Sequence, residues 1–343
     1  MKRKKGIWIF TIATLIFIII SYLIVKSWTT TNYGKLHIRI AIMLKIKKYI
    51  NPNSINNKSI NDIRNIIDKD FTRWNTEPIY FSNIKNLSIP TSSIQIPVRI
   101  YTPQVASKLP VIIYSHGGSW IGGSLNTHDN ICRKLSQNTN AIVISVDYRL
   151  APENPFPAGL NDVYTVLQWT YKNAESINGN SAHIALVGDS SGANLSAAAS
   201  LMERDKNGSH IACQVLVYPS TNIFELNSKS WSYFANDFNL SMTDMQKYIS
   251  LYVPKKEDRI NSYASPLLAK NFKGLPDTLI ITAEFDPLRD EGETYAEKLK
   301  EAGVKVAVTR YKSVTHGFLL MNQITSESDK ALNQISSYLQ KEL

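Results

Sequence analysis

Gly188-Asp189-Ser190-Ser191-Gly192 sets a hydroxyl between two glycines, where the apolar run 184–187 gives way to the alanine-rich stretch 193–199. A tight strand-to-helix corner needs glycine on both sides for room and leaves the central side chain exposed at its apex, so Ser190 is a candidate nucleophile. The helix start beyond it places positive dipole where negative charge would develop. A serine hydroxyl attacks poorly at neutral pH unless a base takes its proton. Of the six histidines, His316 stands in a loop after the last apolar run, at the sheet edge where open α/β folds build their sites. His37, His128, His183 and His210 read more simply as structural or surface residues. His316 in turn needs a carboxylate to fix its tautomer. Asp286 is the first choice, with Asp290 or Glu284 in reserve. Donors for a tetrahedral oxyanion come from the stretch YSHGGSW, 114–120, and the amide after the nucleophile, which nominates Gly117, Gly118 and Ser191. His116 precedes those glycines and is read as ordering their loop.

Such residues must be carried by strands and helices in alternation. Continuous apolar runs begin at Pro110, Ala141, His183, Cys213, Asp277 and Val304 and read as buried parallel strands. Helical patterns separate most of them, including 159–174, 191–204, 289–302 and the C-terminus. The order implies an α/β protein with a mainly parallel central sheet and helices on both faces. The alternating stretch 93–103 contains Pro97 and reads as an edge strand. Between Pro219 and Pro276 no strand pattern appears, which suggests an inserted helical lid over about 222–264. Its aromatics Trp231, Tyr233, Phe234 and Phe238, with Trp120, either line an acyl or alcohol pocket or form local cores.

The 343-residue chain has a formal charge of +10, and all of the excess lies at one end. Residues 1–50 hold ten Lys or Arg and no acid, whereas residues 51–343 hold 28 of each sign. A neutral body lacks the clustered positive face that nucleic-acid binding requires. Instead, a basic segment, 1–6, precedes 19 uncharged residues, 7–25. At about 1.5 Å per residue that run approaches the roughly 30 Å core of a bilayer. It exceeds the core of a cleaved signal peptide, and Ser27, Trp28 and Thr29 offer no small-x-small cleavage site, so a retained single-pass anchor is expected. The cluster Lys2, Arg3, Lys4 and Lys5 favours a cytoplasmic N-terminus and an exported body, against the opposing cations from Lys26 to Lys48. Residues 35–50 suit either an anionic membrane surface or packing over the body, and 51–59 reads as a loop. Cys132 and Cys213 have no metal-ligand spacing and read as unpaired and buried.

The motifs together resemble the hormone-sensitive-lipase-like branch of α/β-hydrolase carboxylesterases. HGGSW, 116–120, is similar to that family's oxyanion motif and GDSSGA, 188–193, to its elbow; DYRLAPENPFPA, 147–158, EFDPLRDEGETYAEKL, 284–299, and HGF, 316–318, follow in order. The likeness covers 110–318, and the span before such a domain resembles the membrane-anchored arylacetamide-deacetylase-like members. It implies the α/β-hydrolase fold with a helical lid, and hydrolysis of a small-molecule or lipid ester without metal or organic cofactor. The triad order Ser190, Asp286, His316 is also that of α/β-hydrolases. Four parts are therefore expected: 1–6; the anchor 7–25; a juxtamembrane and N-terminal lid segment, 26–83; and the hydrolase domain, 84–343. Ser119 replaces the family's third glycine, and Ser191 with Ala193 departs in the elbow, which bears on efficiency and substrate size. A binding protein on the same scaffold would lack a triad member, whereas an amide deacetylase or a long-chain lipase would share all three.

Overall fold

Short apolar runs pair into one eight-stranded sheet in the computed structural model, which describes residues 2–343 except 51–54, 105–107 and 237. In chain order the strands are β1 (Ile84–Pro90), β2 (Gln95–Tyr101), β3 (Leu109–Ser115), β4 (Ile142–Val146), β5 (Gly179–Asp189), β6 (Cys213–Val217), β7 (Asp277–Phe285) and β8 (Val306–Thr315). Their spatial order is β1-β2-β4-β3-β5-β6-β7-β8. The pairs β1–β2 and β2–β4 are antiparallel and the other five are parallel. The expected edge strand is therefore not an edge: β2 lies between β1 and β4. Pro97 is tolerated because it lies one residue beyond Val98, the last residue of β2 that pairs with β4, so its missing N–H weakens only the fringe of that ladder.

Strands buried on both faces need helices on both sides. On one face, Val111 and Ile113 of β3 share a core with Leu160, Val163 and Leu167 of α5 (Ala158–Asn173). On the other, Ile112 and Tyr114 meet Ile131 and Leu135 of α4 (Asp129–Thr139), with Ile335 and Leu339 of α10 (Glu327–Glu342). Helices α6 (Ser191–Asp205) and α9 (Arg289–Glu301) cover Leu216 and Ile280 toward the β8 edge. Cys132 and Cys213 are buried and free.

Two further layers lie over this frame. Between β6 and β7, residues 222–264 form no strand among the described residues and carry α7 (Lys229–Phe234) and α8 (Met242–Tyr252), capped by the hydroxyls of Ser228 and Ser241. Ahead of β1 run α1 (Lys2–Thr29), α2 (Ile38–Ile50) and α3 (Ile60–Arg73). Helix α1 contains the apolar run Ile7–Thr29, whose most hydrophobic window is wholly unburied. Helix α2 packs Ile40, Ala41 and Met43 into the body, so the packing alternative holds for that face. Ser59 Oγ accepts the Asp62 amide at 3.2 Å and starts α3, which buries Ile63 and Ile67. Of the loop expected at 51–59, residues 51–54 lie outside the described residues and Ile55–Asn57 form a single 3-10 turn.

Candidate active site

Ser190 sits between the last residue of β5 and the first of α6 at φ 54° and ψ −119°. A side chain rarely adopts that left-handed conformation, and a non-glycine residue there stores roughly 1 kcal/mol or more. The flanking glycines are required by close approach: a Cβ on Gly192 would lie 2.0 Å from the Ser115 carbonyl oxygen, and one on Gly188 2.4 Å from that of Gly192. The corner turns Ser190 Oγ toward His316, whose Nε2 lies 2.9 Å away. On the other side of the ring, Nδ1 is 2.8 Å from Asp286 Oδ2. An ionised carboxylate only accepts, so Nδ1 carries the proton and Nε2 is left as acceptor for the serine hydroxyl. Asp286 is fully buried, and its Oδ1 accepts the Leu288 amide at 2.9 Å. The reserve carboxylates face elsewhere: Glu284 pairs with Arg289 at 2.6 Å, and Asp290 accepts the Ser230 amide at 2.8 Å.

Of the expected oxyanion donors, one requires correction. The Gly117 N–H donates to Asp189 Oδ1 at 2.9 Å. The amides of Gly118, Ser119 and Ser191 have no acceptor among the described residues, and Gly118 and Ser119 line the cavity at Ser190. The amides left free in the loop are thus those one residue further along than expected. Gly118 at φ 131° is obligatory, since a Cβ there would lie 2.1 Å from the Gly122 carbonyl oxygen, while Ser119 accepts φ 56°. Asp189, which sequence reasoning passed over, is the hub behind the loop. Its buried carboxylate also accepts Tyr114 Oη at 2.8 Å and lies 3.2 Å from His128 Nε2. Burial alone pushes this carboxyl up, but His128 and the hydrogen bonds from Tyr114 and Gly117 outweigh it and hold it below the usual range. His116 donates from Nδ1 to the Gly117 carbonyl at 2.8 Å and stacks on Tyr148 at 4.4 Å. Burial pushes its imidazole down to about 4, so it is a neutral spacer.

Trp120 does not line the cavity. Its backbone, at φ 61°, turns the ring into the core, where it stacks on Tyr252 at 4.5 Å and donates to Asn194 Oδ1 at 3.2 Å. Asn194 Nδ2 donates to the carbonyls of Ser220 at 2.8 Å and Ala264 at 3.0 Å. One amide thus ties the oxyanion loop to α6 and both ends of the lid. Asn194→Ala strands three buried groups and is expected to lower stability by about 3 kcal/mol, read as a depressed Tm. None of the four lid aromatics lines the cavity either. Trp231 donates to Glu291, a carboxyl pushed up to about 8 by burial, and Phe234 and Phe238 pack edge-on at 5.3 Å.

The cavity at Ser190 holds about 180 Å³. Its apolar wall is Met43 of α2, Ile67, Phe71 and Trp74 in and beside α3, and Leu240 and Tyr248 of the lid. Lys47, paired with Asp70 at 2.6 Å, forms a polar end. These N-terminal contributors were not singled out in the sequence, although Ile60, Ile63, Ile67 and Phe71 repeat at helical spacing.

The sequence model described as alpha/beta hydrolase fold matches residues 112–320. The carboxylic ester hydrolase LipN of Mycobacterium tuberculosis is 38% identical over 267 residues, 76% of this chain and 71% of its own length. An arylesterase of Saccharolobus solfataricus is 38% identical over 236 residues, 68% of this chain and 76% of its own. Among solved structures, a hyperthermophilic esterase from Pyrobaculum calidifontis superposes with a TM-score of 0.81 at 35% identity, covering 88% of this chain and 97% of that one.

Proposed function

This chain belongs to the hormone-sensitive-lipase-like branch of the α/β-hydrolase carboxylic ester hydrolases, and from that premise we propose that Ser190, His316 and Asp286 are its catalytic triad. The observation that carries the reading is the unbroken run of two hydrogen bonds, 2.9 Å and 2.8 Å, from the strained serine through the imidazole to a buried carboxylate. Ser190 Oγ attacks the ester carbonyl carbon while His316 Nε2 takes its proton. Asp286 stabilises the imidazolium, and the amides of Gly118, Ser119 and Ser191 hold the oxyanion. Collapse expels the alcohol, which takes the proton from His316. Water, deprotonated by the same nitrogen, then releases the acid from the acyl-enzyme.

Substrate size follows from the cavity. A volume of about 180 Å³ is below the roughly 300–1,000 Å³ of pockets for drug-sized ligands, and Ser119 adds bulk beside the reacting carbon. Both favour short to medium acyl esters over long-chain ones. Residues 1–6 form a basic N-terminus, 7–25 the retained anchor, 26–83 a juxtamembrane and N-terminal lid segment, and 84–343 the hydrolase domain with its lid at 222–264. The basic cluster ahead of the anchor favours a cytoplasmic N-terminus and an exported catalytic domain, against the opposing cations from Lys26 to Lys48. The test of size is a series of p-nitrophenyl esters given to the full chain in detergent micelles. The highest kcat/KM is expected between acetyl and hexanoyl, and a maximum at dodecanoyl or beyond would exclude the small-acyl reading.

A further inference from the structure

The ring of His316 is held by Asp286 and by the edge of Tyr218, with ring centroids 4.8 Å apart, but its main chain lies between two supports. Thr315, paired with Phe285, ends β8, and the 3-10 turn Phe318–Leu320 begins only after Gly317 at φ 80°. The carbonyl of His316 is bonded into neither. Its one donor among the described residues is Asn239 Nδ2, at 3.0 Å, a lid side chain between α7 and α8.

An amide meets a carbonyl through its NH2, so its oxygen faces the other way, and there Lys47 Nζ donates to it at 3.0 Å. Lys47, on α2, also donates to Asp70 Oδ2, on α3, at 2.6 Å. An ammonium only donates and a carbonyl only accepts, so the two partners fix one orientation of the Asn239 amide and forbid the flipped one. Asn239, Lys47, Asp70 and His316 all line the cavity at Ser190. The backbone beneath the amide is equally constrained. Asn239 stands at φ 68°, and the Leu240 N–H donates across it to the Phe238 carbonyl at 2.9 Å. That is a γ-turn of positive φ, the rare and strained form. Such strain persists where the surroundings over-determine it, and it collects at functional sites. Here it aims a side chain at the residue that carries the base.

We propose that Asn239 is a positioning residue for His316, with Lys47 and Asp70 orienting its amide. The bond to the His316 carbonyl fixes the peptide from which the imidazole hangs, and so the reach of Nε2 to Ser190 Oγ as the proton is taken and returned. Misplacement of a reacting group by about 1 Å costs on the order of 10²-fold in rate. The N-terminal helices and the lid thus act on the chemistry as well as forming the cavity wall. The assignment rests on the reading of His316 as the base.

The test uses the full chain in detergent micelles with p-nitrophenyl acetate, butyrate and hexanoate. Asn239→Gly keeps the positive φ, which glycine adopts freely, and removes the amide. Asn239→Asp keeps the size and the partner for Lys47 but sets an acceptor against the carbonyl. Both are expected to lower kcat by about tenfold or more, by the same factor on all three esters, with KM within about threefold and Tm within about 3 °C of the parent. Lys47→Met leaves the amide free to turn its NH2 toward Asp70 and is expected to cost roughly fivefold in kcat, which Lys47→Arg, able to donate to both oxygens, recovers. His316→Ala, measured alongside, separates the two readings. If it keeps kcat within about tenfold of the parent, the base is misassigned and this role falls with it. If His316→Ala collapses while either Asn239 variant loses less than about tenfold, or Lys47→Met loses nothing, the positioning role is overturned and the triad stands. A loss confined to KM, one that changes with acyl length, or one explained by unfolding of both Asn239 variants would make the amide part of the ester pocket or of the fold, and would overturn the role as well.

Discussion

Ser190→Ala is expected to lower kcat toward p-nitrophenyl acetate by roughly 10⁵- to 10⁶-fold, because the lost atom is the one that forms the bond to the acyl carbon. Fold and binding are expected to survive. The backbone at 190 is held independently of the hydroxyl: its N–H donates to the Val217 carbonyl at 2.9 Å, and its own carbonyl accepts the Asn194 amide at 3.1 Å. Alanine has the same Cβ as serine, so the strain at φ 54° is unchanged. The hydroxyl opens on a cavity, so His316 Nε2 regains water when its partner goes, and Tm is expected to move by less than what about 1 kcal/mol produces. Measured side by side, kcat collapses while Tm and the near-UV spectrum stay. Turnover by the variant within tenfold of the parent would remove Ser190 as nucleophile.

What could be read from the sequence divides by the range of the forces involved. Six strands and the helices that follow them are runs of side chains with one period, and they end where glycine, proline or a polar cluster ends the period. The serine corner is equally local, since Gly188 and Gly192 are fixed by backbone contacts within a few residues or across to β3. The oxyanion donors are another matter. Which amide in His116-Gly117-Gly118-Ser119 stays free depends on Asp189, a carboxylate brought from β5, and on the Tyr114 hydroxyl beside it. Nothing in the order of the loop residues says that Gly117 is already taken. The direction of Trp120 is lost for the same reason: left-handed turns at 119 and 120 swing the indole onto Tyr252, and only the folded lid places that ring. The cavity wall is the extreme case. Met43 and Phe71 stand ahead of β1 and Tyr248 follows β6, so six of the eight strands lie in sequence between the two sides of the wall, and long-range packing of this kind has no one-dimensional signature.

Asp286→Asn is expected to lower kcat by roughly 10⁴-fold with KM little changed, and the reason is a proton on the wrong nitrogen. Asp286 Oδ1 is committed to the Leu288 N–H at 2.9 Å, while Oδ2 accepts from His316 Nδ1 at 2.8 Å. An asparagine in this place has one oxygen. If that oxygen stays on the Leu288 amide, the side-chain NH2 faces His316 and donates to Nδ1, so the imidazole proton moves to Nε2. The ring then points a donor at Ser190 and has no lone pair with which to take its proton. The flipped amide, with oxygen toward His316, sets the NH2 against the Leu288 N–H, two buried donors facing each other. The local backbone therefore selects the unproductive tautomer. Substitution of the neighbouring acids separates this from a general loss of negative charge: Glu284→Gln breaks pairs with Arg289 and Arg310, and Asp290→Asn weakens contacts with Ser230 and Arg289. Both are expected to keep kcat within about tenfold, since neither touches the imidazole. A full set of three variants in which Asp290→Asn or Glu284→Gln, and not Asp286→Asn, carries the loss would place the orienting carboxylate at the end of β7 or in the first turn of α9 instead.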